Sequence, residues 1–272
     1  MIKKVIIITG VSSGIGKAFI HKALGNTKEG EFVVGLGRTN IPDFTHERYL
    51  FIRTDLKYSS SVKQAVQRIK KRLGRVDVLI NNAGFGYRST VEDLSIDEMR
   101  EQFEVNLFGP LYLTSLVLPL MRKQGHGHII NISSVGSVVS TPTLGYYTAT
   151  KASLDKLSEV LDQEAEKFNI KVSVLIPGAV KTDFGKNIRI PKGYSKTTYT
   201  SLYKEWQHRF AYFFKRQDTS EGVANYLWSL IQKPARVRYI SRRDQVMCAL
   251  KRVLPHSIFQ FIFLNYFYKN ES

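Results

Sequence analysis

The stretch KVIIITGVSSGIGKAFIHKAL, residues 4–24, decides the fold class of this chain of 272 residues. Residues 5–8 are four consecutive β-branched apolar residues, which predict a strand buried on both faces. Such a strand is typical of a parallel sheet that carries helices on each side. A glycine turn and a helical pattern follow it directly, so we predict a doubly wound α/β fold.

The glycine turn has the spacing G-x-x-x-G-x-G. Glycine allows positive φ and a close approach of the backbone to a ligand, and the N-terminus of the next helix attracts an anion. We therefore predict that the turn binds the pyrophosphate of a dinucleotide; a glycine-rich turn without a ligand is the alternative. The predicted contacts are Gly10, Ser12, Ser13, Gly14, Ile15 and Gly16.

The second predicted strand, residues 32–36, ends at Gly37, Arg38 and Thr39. An Asp or Glu at this place would bind the adenosine ribose 2′-hydroxyl of NAD, and the chain has neither there. Arg38 instead suits the 2′-phosphate of NADP, helped by the hydroxyls of Thr39 and the glycine turn, because a guanidinium offers a planar fork of donors. We expect NADP(H) to be preferred, with NAD(H) as the second cofactor; an ordinary solvated arginine is the alternative.

The third predicted strand, residues 50–53, is followed by Asp55 and Leu56, which we place in the cofactor site. Asp55 either caps the next helix or accepts a hydrogen bond from the adenine amino group. Residues 59–73 have amphipathic spacing and predict a crossover helix.

The fourth predicted strand, residues 76–80, leads into NNAG at 81–84. Ligands of open α/β sheets bind at the carboxyl ends of such strands. We predict that Asn82, Ala83 and Gly84 line the cofactor site. Structural support of the turn is the expected direct role of the asparagines.

A tyrosine and a lysine stand four residues apart at Tyr147 and Lys151, in a segment with helical spacing. One helical turn brings their side chains to the same face. A nearby ammonium favours a phenolate, so Lys151 is predicted to lower the Tyr147 pKa and make Tyr147 a general acid or base. Ser134, after the apolar run 128–132, offers a hydroxyl to a substrate oxygen. Alone, the pair is more typical of a half-buried helix face with a snorkelling lysine than of a catalytic pair.

Composition and charge set further limits. The apolar content of 43% favours one large domain with a substantial core. A lone cysteine, Cys248, excludes an intrachain disulfide, and the start does not resemble a signal peptide, so we expect a cytoplasmic location. No uninterrupted apolar run approaches the roughly 18 to 20 residues that span a bilayer. Of the net charge of +17, residues 186–272 contribute +11, from 16 Lys and Arg against 5 Asp and Glu, which favours anionic surroundings.

Six motifs, in this order and spacing, resemble the short-chain dehydrogenase/reductase family over roughly residues 3–240. They are TGVSSGIG, NNAG, Asn106 in VNLFGP, Ser134, Tyr147-x-x-x-Lys151, and PGAVKT at 177–182. The resemblance implies a single-domain Rossmann-type fold with about seven parallel strands and helices on both faces. It also implies NAD(P)(H) as hydride carrier, no metal, and a homodimer or homotetramer through helices near 97–123 and 147–168.

The resemblance implies a catalytic role for four residues. Ser134 and Tyr147 would act on the substrate oxygen, and Lys151 would hold the nicotinamide ribose and lower the tyrosine pKa. Asn106 would steady a water in a proton relay to Lys151. The implied cofactor contacts also include Tyr147 and Lys151 themselves, and Pro177, Gly178, Val180 and Thr182, with Thr182 on the carboxamide.

Beyond Gly185 the resemblance thins. The segment 186–217 is rich in Tyr, Phe, Lys and Arg and is predicted to form a substrate lid. Residues 220–232 predict a helix with Ser220 as its N-cap, and residues 237–240 a final strand. We divide the chain into a catalytic domain, 1–243, and a C-terminal extension, 244–272.

The extension carries apolar and aromatic residues between basic ones at 244–268. Pro255 divides it into two pieces, neither long enough to span a bilayer. Two interpretations stay open: peripheral contact with an anionic membrane surface, and packing over the substrate pocket or a subunit interface.

Together these observations predict an oxidoreductase that transfers hydride between NADP(H) and a carbonyl or secondary alcohol, with Tyr147 as general acid/base. We expect reduction in the cell and an apolar small-molecule substrate, because the lid is aromatic. The alternative is a cofactor-binding scaffold or redox sensor at an anionic membrane surface, which the complete Ser-Tyr-Lys-Asn set disfavours. The basic residues form no nucleic-acid recognition motif, so no nucleic-acid partner is expected.

Overall fold

A seven-stranded parallel sheet forms the centre of the protein in a computed structural model that describes residues 1–41, 44–182, 184–185, 188–213 and 217–268. The order of its strands is β3-β2-β1-β4-β5-β6-β9, and β7 and β8 pair separately. The predicted doubly wound fold with about seven parallel strands is confirmed. The strands are β1 (Lys4–Thr9), β2 (Glu31–Gly37), β3 (Tyr49–Arg53), β4 (Val78–Asn81), β5 (Gly127–Ile132), β6 (Ile170–Ile176), β7 (Val180–Lys181), β8 (Asp218–Thr219) and β9 (Val237–Tyr239).

Helices cover both faces of the sheet. Helices α1 and α7 pack on one face, and α2, α4 and α5 on the other. The helices are α1 (Gly14–Leu24), α2 (Ser59–Leu73), α3 (Ile96–Phe103), α4 (Gly109–Gln124), α5 (Gly145–Ala165), α6 (Thr200–Phe213), α7 (Ser220–Gln232), α8 (Arg242–Val253) and α9 (His256–Tyr268). A π-helical turn, Glu104–Phe108, joins α3 to α4, and short 3-10 turns lie at Val135–Ser137, Glu166–Phe168 and Lys192–Lys196.

Strand β1 is the buried centre of this arrangement. Val5, Ile6, Ile7 and Ile8 are all fully buried. Because side chains alternate along a strand, Ile6 and Ile8 pack with α1 and α7 while Val5 and Ile7 pack with α2 and α4. Full burial of one such side chain stabilises the fold by roughly 1.5 to 3 kcal/mol, so both layers hold the carboxyl end of β1 in place.

Two predicted caps are wrong. Asp55 does not cap α2: its Oδ1 accepts from the Lys57 N–H at 3.0 Å and closes the turn that precedes the helix. Helix α7 is capped by Thr219, whose Oγ1 accepts from the Gly222 N–H at 2.9 Å, and Ser220 is the first helical residue. Thr219 has the extended backbone of a cap, which decides between the two adjacent hydroxyls.

The predicted boundary at 243/244 falls inside α8. Asp244 and Cys248 of this helix are buried, and Cys248 belongs to a cluster with Val174 and Ile176 of β6. Pro255 separates α8 from α9, as predicted. Helices α8 and α9 therefore pack on the body formed by residues 1–243.

Residues Ile96–Gln124 form a helix that is long and apolar enough, by length and composition alone, to cross a membrane. Polar residues interrupt the apolar ones along this helix, so it contains no uninterrupted apolar run of that length. Leu113, Val117 and Met121 are fully buried in the layer against the sheet. The helix is thus part of the core, and core helices pass the same composition test.

Candidate active site

The glycine turn after β1 can be built only with glycine at its critical positions. Gly10 and Gly14 have φ of +74° and +54°. A Cβ at Gly10 would lie 2.9 Å from the Ala83 Cα, and one at Gly16 would overlap the Gly10 carbonyl. The turn is therefore a tight backbone cradle at the N-terminus of α1, which fits a pyrophosphate.

Asn82 holds this cradle to the end of β4. Its Nδ2 donates to the carbonyl oxygens of Thr9 at 2.9 Å and Gly10 at 3.1 Å. In return, the Thr9 hydroxyl accepts from the N–H groups of Asn82 at 3.0 Å and Ala83 at 2.9 Å. The structural role predicted for this asparagine is confirmed.

A continuous cavity of about 820 Å³ opens at the carboxyl ends of the sheet strands. Gly16 and Asn106 lie behind its lining and support it. The other predicted site residues line it: Gly10, Ser12, Ser13, Gly14, Ile15, Arg38, Thr39, Asp55, Leu56, Asn82, Ala83, Gly84, Ser134, Tyr147, Lys151, Pro177, Gly178, Val180 and Thr182. The tertiary structure thus gathers all of these motifs around one space.

Arg38 and Thr39 stand exposed after β2, on the same cavity as the glycine turn. At the turn itself, a Cβ on Gly14 would lie 3.2 Å from the Thr182 Cβ. The PGAVKT segment therefore faces the glycine turn, and Thr182 lines the same cavity as Arg38 and Thr39.

Ser134 and Tyr147 meet in the middle of the cavity. Tyr147 lies in the first turn of α5. Ser134 follows β5, and its side chain forms a hydrogen bond with that of Tyr147. The Gly136 N–H donates to the Ser134 Oγ at 3.1 Å and orients the hydroxyl. The Phe184 ring lies 5.5 Å from the Tyr147 ring, centroid to centroid, so the acid has an apolar neighbour.

The predicted direction of the Tyr147 pKa is wrong for the protein alone. Burial raises the pKa of Tyr147 to about 12, although the Ser134 hydrogen bond lowers it, and Asp155 raises it further. Lys151 does not offset this, because its ammonium lies 6.0 Å from the centre of the tyrosine ring and bonds elsewhere. The tyrosine is therefore held in its protonated form.

Lys151 is buried, and its Nζ donates to the Ile132 carbonyl oxygen at 2.8 Å. Burial lowers the pKa of Lys151 to about 8, while the charge of Asp155 raises it. A Cβ on Gly84 would lie 3.6 Å from this Nζ, so the lysine reaches the cofactor side of the cavity.

Asn106 sits in the π-helical turn and is fully buried. Its Nδ2 donates to the Phe85 carbonyl oxygen at 2.8 Å, and its Oδ1 accepts from the Phe85 N–H at 3.1 Å. The Nδ2 also reaches the Thr150 hydroxyl at 3.3 Å. The side chain thereby fastens the loop after β4 to α5. The proton-relay role stays a prediction.

Asp155 is a functional candidate that the sequence reasoning missed. It follows Lys151 by one turn of α5, and its carboxylate interacts with Lys151, with the hydroxyls of Ser133 and Ser137, and with Arg252 of α8. Burial raises the pKa of Asp155, and these neighbours lower it. The i, i+4, i+8 spacing of Tyr147, Lys151 and Asp155 was the available signal.

The far end of the cavity is an apolar wall that was also missed. Trp206 of α6, Met247 of α8 and Phe263 of α9 line it, with Val139 and Leu144 beside them. Trp206 and Phe263 are buried in one cluster with Phe259 and Cys248. Of the two interpretations of the extension, packing over the pocket is therefore confirmed for its inner face. The lid prediction for 186–217 partly lies outside the described residues and stays a prediction.

Comparison with known proteins agrees with this geometry. The family model described as short chain dehydrogenase matches residues 4–193. The chain is 40% identical over 187 residues to a 3-ketodihydrosphingosine reductase of Bacteroides thetaiotaomicron, covering 69% of this chain and 68% of that protein. It is 30% identical over 257 residues to an NADPH-dependent 3-dehydrocapnine reductase of Ornithobacterium rhinotracheale, covering 89% of each. A crystal structure of a short-chain dehydrogenase from Streptomyces avermitilis superposes with a TM-score of 0.78 at 29% identity, covering 97% of this chain and 96% of that one.

Proposed function

The chain belongs to the short-chain dehydrogenase/reductase family of oxidoreductases, and on that basis we propose that it uses NADPH to reduce the ketone of a long-chain, apolar substrate. One observation carries the proposal: the cavity runs from Arg38, past Ser134 and Tyr147, to the wall formed by Trp206 and Phe263. A phosphate-binding end, an acid and an apolar end thus lie in one space.

The residues present fit a nicotinamide dinucleotide. The cradle of Gly10, Gly14 and Gly16 would hold its pyrophosphate, Arg38 the 2′-phosphate, and Thr182 the carboxamide. When bound, the reduced nicotinamide supplies the hydride that the carbonyl carbon accepts.

The chain's own residues act on the substrate oxygen. The Ser134 hydroxyl donates to the carbonyl oxygen and positions it beside the phenol. Tyr147 gives its proton to that oxygen as negative charge develops there. The Lys151 ammonium, held on the Ile132 carbonyl oxygen, would steady the ribose side of the cofactor.

The protonation state of Tyr147 is the one that reduction needs. Reduction needs Tyr147 protonated at the start, and burial raises its pKa to about 12, so the phenol is protonated at neutral pH. Oxidation of an alcohol would need the phenolate, which the same burial disfavours.

The substrate class rests on the wall and on two relatives. Both relatives carry names that state a reductase of a 3-keto or 3-dehydro compound, and one states NADPH. The apolar wall of this chain suits a hydrocarbon chain that extends from such a ketone. We take a long-chain 3-keto amine as the reference substrate.

The test is NADPH oxidation by the purified protein with 3-ketodihydrosphingosine, a short water-soluble ketone, and no ketone. We expect the highest kcat/KM with the long-chain ketone and a lower value with the short one. Binding of NADPH without turnover on any ketone would instead support the scaffold or redox-sensor alternative.

We also propose a homo-oligomer that pairs α4 and α5. Phe108, Leu157 and Val160 are exposed at or beside these two helices, where apolar side chains favour a partner subunit. Light scattering should give the mass of a dimer or tetramer, and Leu157→Arg should reduce that mass.

A further inference from the structure

The outer face of α8 and α9 carries large apolar side chains in contact with solvent. On α8 these are Val246, Leu250 and Val253, and on α9 they are Ile258, Phe261 and Ile262. Val253 is 81% exposed and Phe261 is 71% exposed, so neither contributes to the core. Within each helix the spacing i, i+3/i+4, i+7 gathers the exposed side chains into one stripe.

The inner face of the same helices already has its partner. Cys248 and Phe259 are buried, and Met247 and Phe263 line the catalytic cavity. The two faces therefore have different tasks: the inner face completes the pocket, and the outer face is left for a partner outside the described chain.

The charge around the outer face is cationic. Between residues 242 and 263 the basic side chains are Arg242, Arg243, Lys251 and Arg252, and the one acid, Asp244, is 1% exposed and packs on Gly178. Arg242 precedes Val246 by one turn, so it stands on the apolar stripe itself. The outer face of α8 and α9 therefore exposes apolar and positively charged side chains side by side.

From this combination we infer that α8 and α9 dock the protein on an anionic membrane surface. Aromatic and aliphatic side chains enter the boundary of the acyl chains, and the exposed Arg242 faces the lipid headgroups. A second copy of the same face fits less well, because a two-fold contact would bring the basic side chains of one α8 against those of the other, and the one acid between residues 242 and 263, Asp244, is buried. The docked face backs directly onto the apolar wall. An apolar substrate of the proposed function would therefore have a short path from the bilayer.

The experiment measures binding of the full-length protein to vesicles of phosphatidylglycerol and phosphatidylcholine, against vesicles of phosphatidylcholine alone. We expect the protein to sediment with the anionic vesicles and to be released by high salt. The double variant Val253→Ser/Phe261→Ser should bind at least about ten-fold more weakly, because two exposed apolar anchors are lost. Ile96→Ser/Tyr226→Ser, at exposed positions on α3 and α7, is the matched control and should bind like the parent.

A second variant isolates the charge. Arg242→Gln should weaken binding to anionic vesicles about five-fold, while Arg68→Gln, on the exposed side of α2, should not. Turnover of a soluble ketone without vesicles should be unchanged in every variant, which separates this inference from the proposed reaction. The inference is overturned if the parent ignores anionic vesicles, if the double variant binds as well as the parent, or if the double variant loses an oligomer and nothing else.

Discussion

The Lys151 ammonium donates to the carbonyl oxygen of Ile132, the last residue of β5, at 2.8 Å. This bond ties α5, which carries Tyr147 and Lys151, to the carboxyl end of the central sheet. It also directs the charge of Lys151 away from the Tyr147 ring, which explains why the two pKa values shift separately: burial raises that of Tyr147 and lowers that of Lys151.

Tyr147→Phe should abolish turnover and leave NADPH affinity nearly unchanged, because the ring stays and only the proton donor is removed. Loss of a positioned acid costs on the order of 10² to 10⁴ in kcat. Steady-state kinetics and a fluorescence titration of NADPH measure the two effects. Activity within a few-fold of the parent would contradict the assigned role.

Arg38→Ala should weaken NADPH binding and spare NADH binding, since only NADPH carries the 2′-phosphate. A charged hydrogen bond contributes roughly 1.5 to 3 kcal/mol, which corresponds to about 10- to 150-fold in Kd. Arg68→Ala, on the exposed side of α2 and outside the cavity lining, is the control. Equal losses for both cofactors would show that Arg38 does not read the phosphate.

Asp155→Asn should shift the alkaline limb of the pH–kcat profile to lower pH. Asp155 raises the pKa of Lys151, so its loss lets that pKa fall below about 8 and leaves Lys151 neutral over more of the neutral range. Activity at pH 8 should then drop several-fold relative to activity at pH 6. The control is Glu159→Gln, one turn further along α5 and exposed.

A purely structural role for Asp155 predicts something else. It would lower thermal stability and kcat equally at all pH values. An unshifted profile in a folded Asp155→Asn protein would therefore reject the positioning role. The groups that interact with Asp155 are Lys151, Ser133, Ser137, Arg252, Tyr147, Tyr239 and Cys248. Burial raises the pKa values of Tyr147, Tyr239 and Cys248, whereas it lowers the pKa of Lys151 to about 8.

His128→Gln should make the protein less sensitive to acid. Burial, with a smaller contribution from Lys4, lowers the pKa of His128 to about 4, so the unfolded chain binds a proton that the folded protein does not. The neutral form of His128 therefore contributes to the free energy of unfolding above about pH 6.5, and this contribution is lost as the pH falls toward 4. Between pH 7 and pH 5 it amounts to about 2 kcal/mol in the free energy of unfolding. Urea titrations at both pH values measure it, with the exposed His208→Gln as control; an identical pH dependence in both variants would refute the assignment.

Met247→Ala should lower kcat/KM for a long-chain ketone by about ten-fold, because the apolar wall loses about two methylene equivalents of contact. The short ketone should be unaffected. Val246→Ala, at the exposed neighbouring position on the outer face of α8, should change neither. Parallel losses on both ketones would mean that Met247 supports the fold and does not contact substrate.

Local spacing along the chain was sufficient to predict the main features of the fold and most of the site. The buried run before Gly10 specifies a central strand because a two-sided core excludes polar residues. The glycines at 10, 14 and 16 specify a backbone on which a side chain would clash or be strained. The pairing of Tyr147 with Lys151 follows from one helical turn. These are properties of neighbouring residues, which the sequence states directly.

The tertiary structure alone decided what depends on residues far apart in the chain. The Tyr147 pKa rises because the folded protein buries the phenol, and Asn106 fastens Phe85 rather than a nearby residue. The pocket wall joins Trp206 to Phe263, and the cap of α7 is settled by a backbone angle at Thr219. Burial, electrostatics and packing sum over contacts from every layer of the fold, so no local pattern in the sequence contains them.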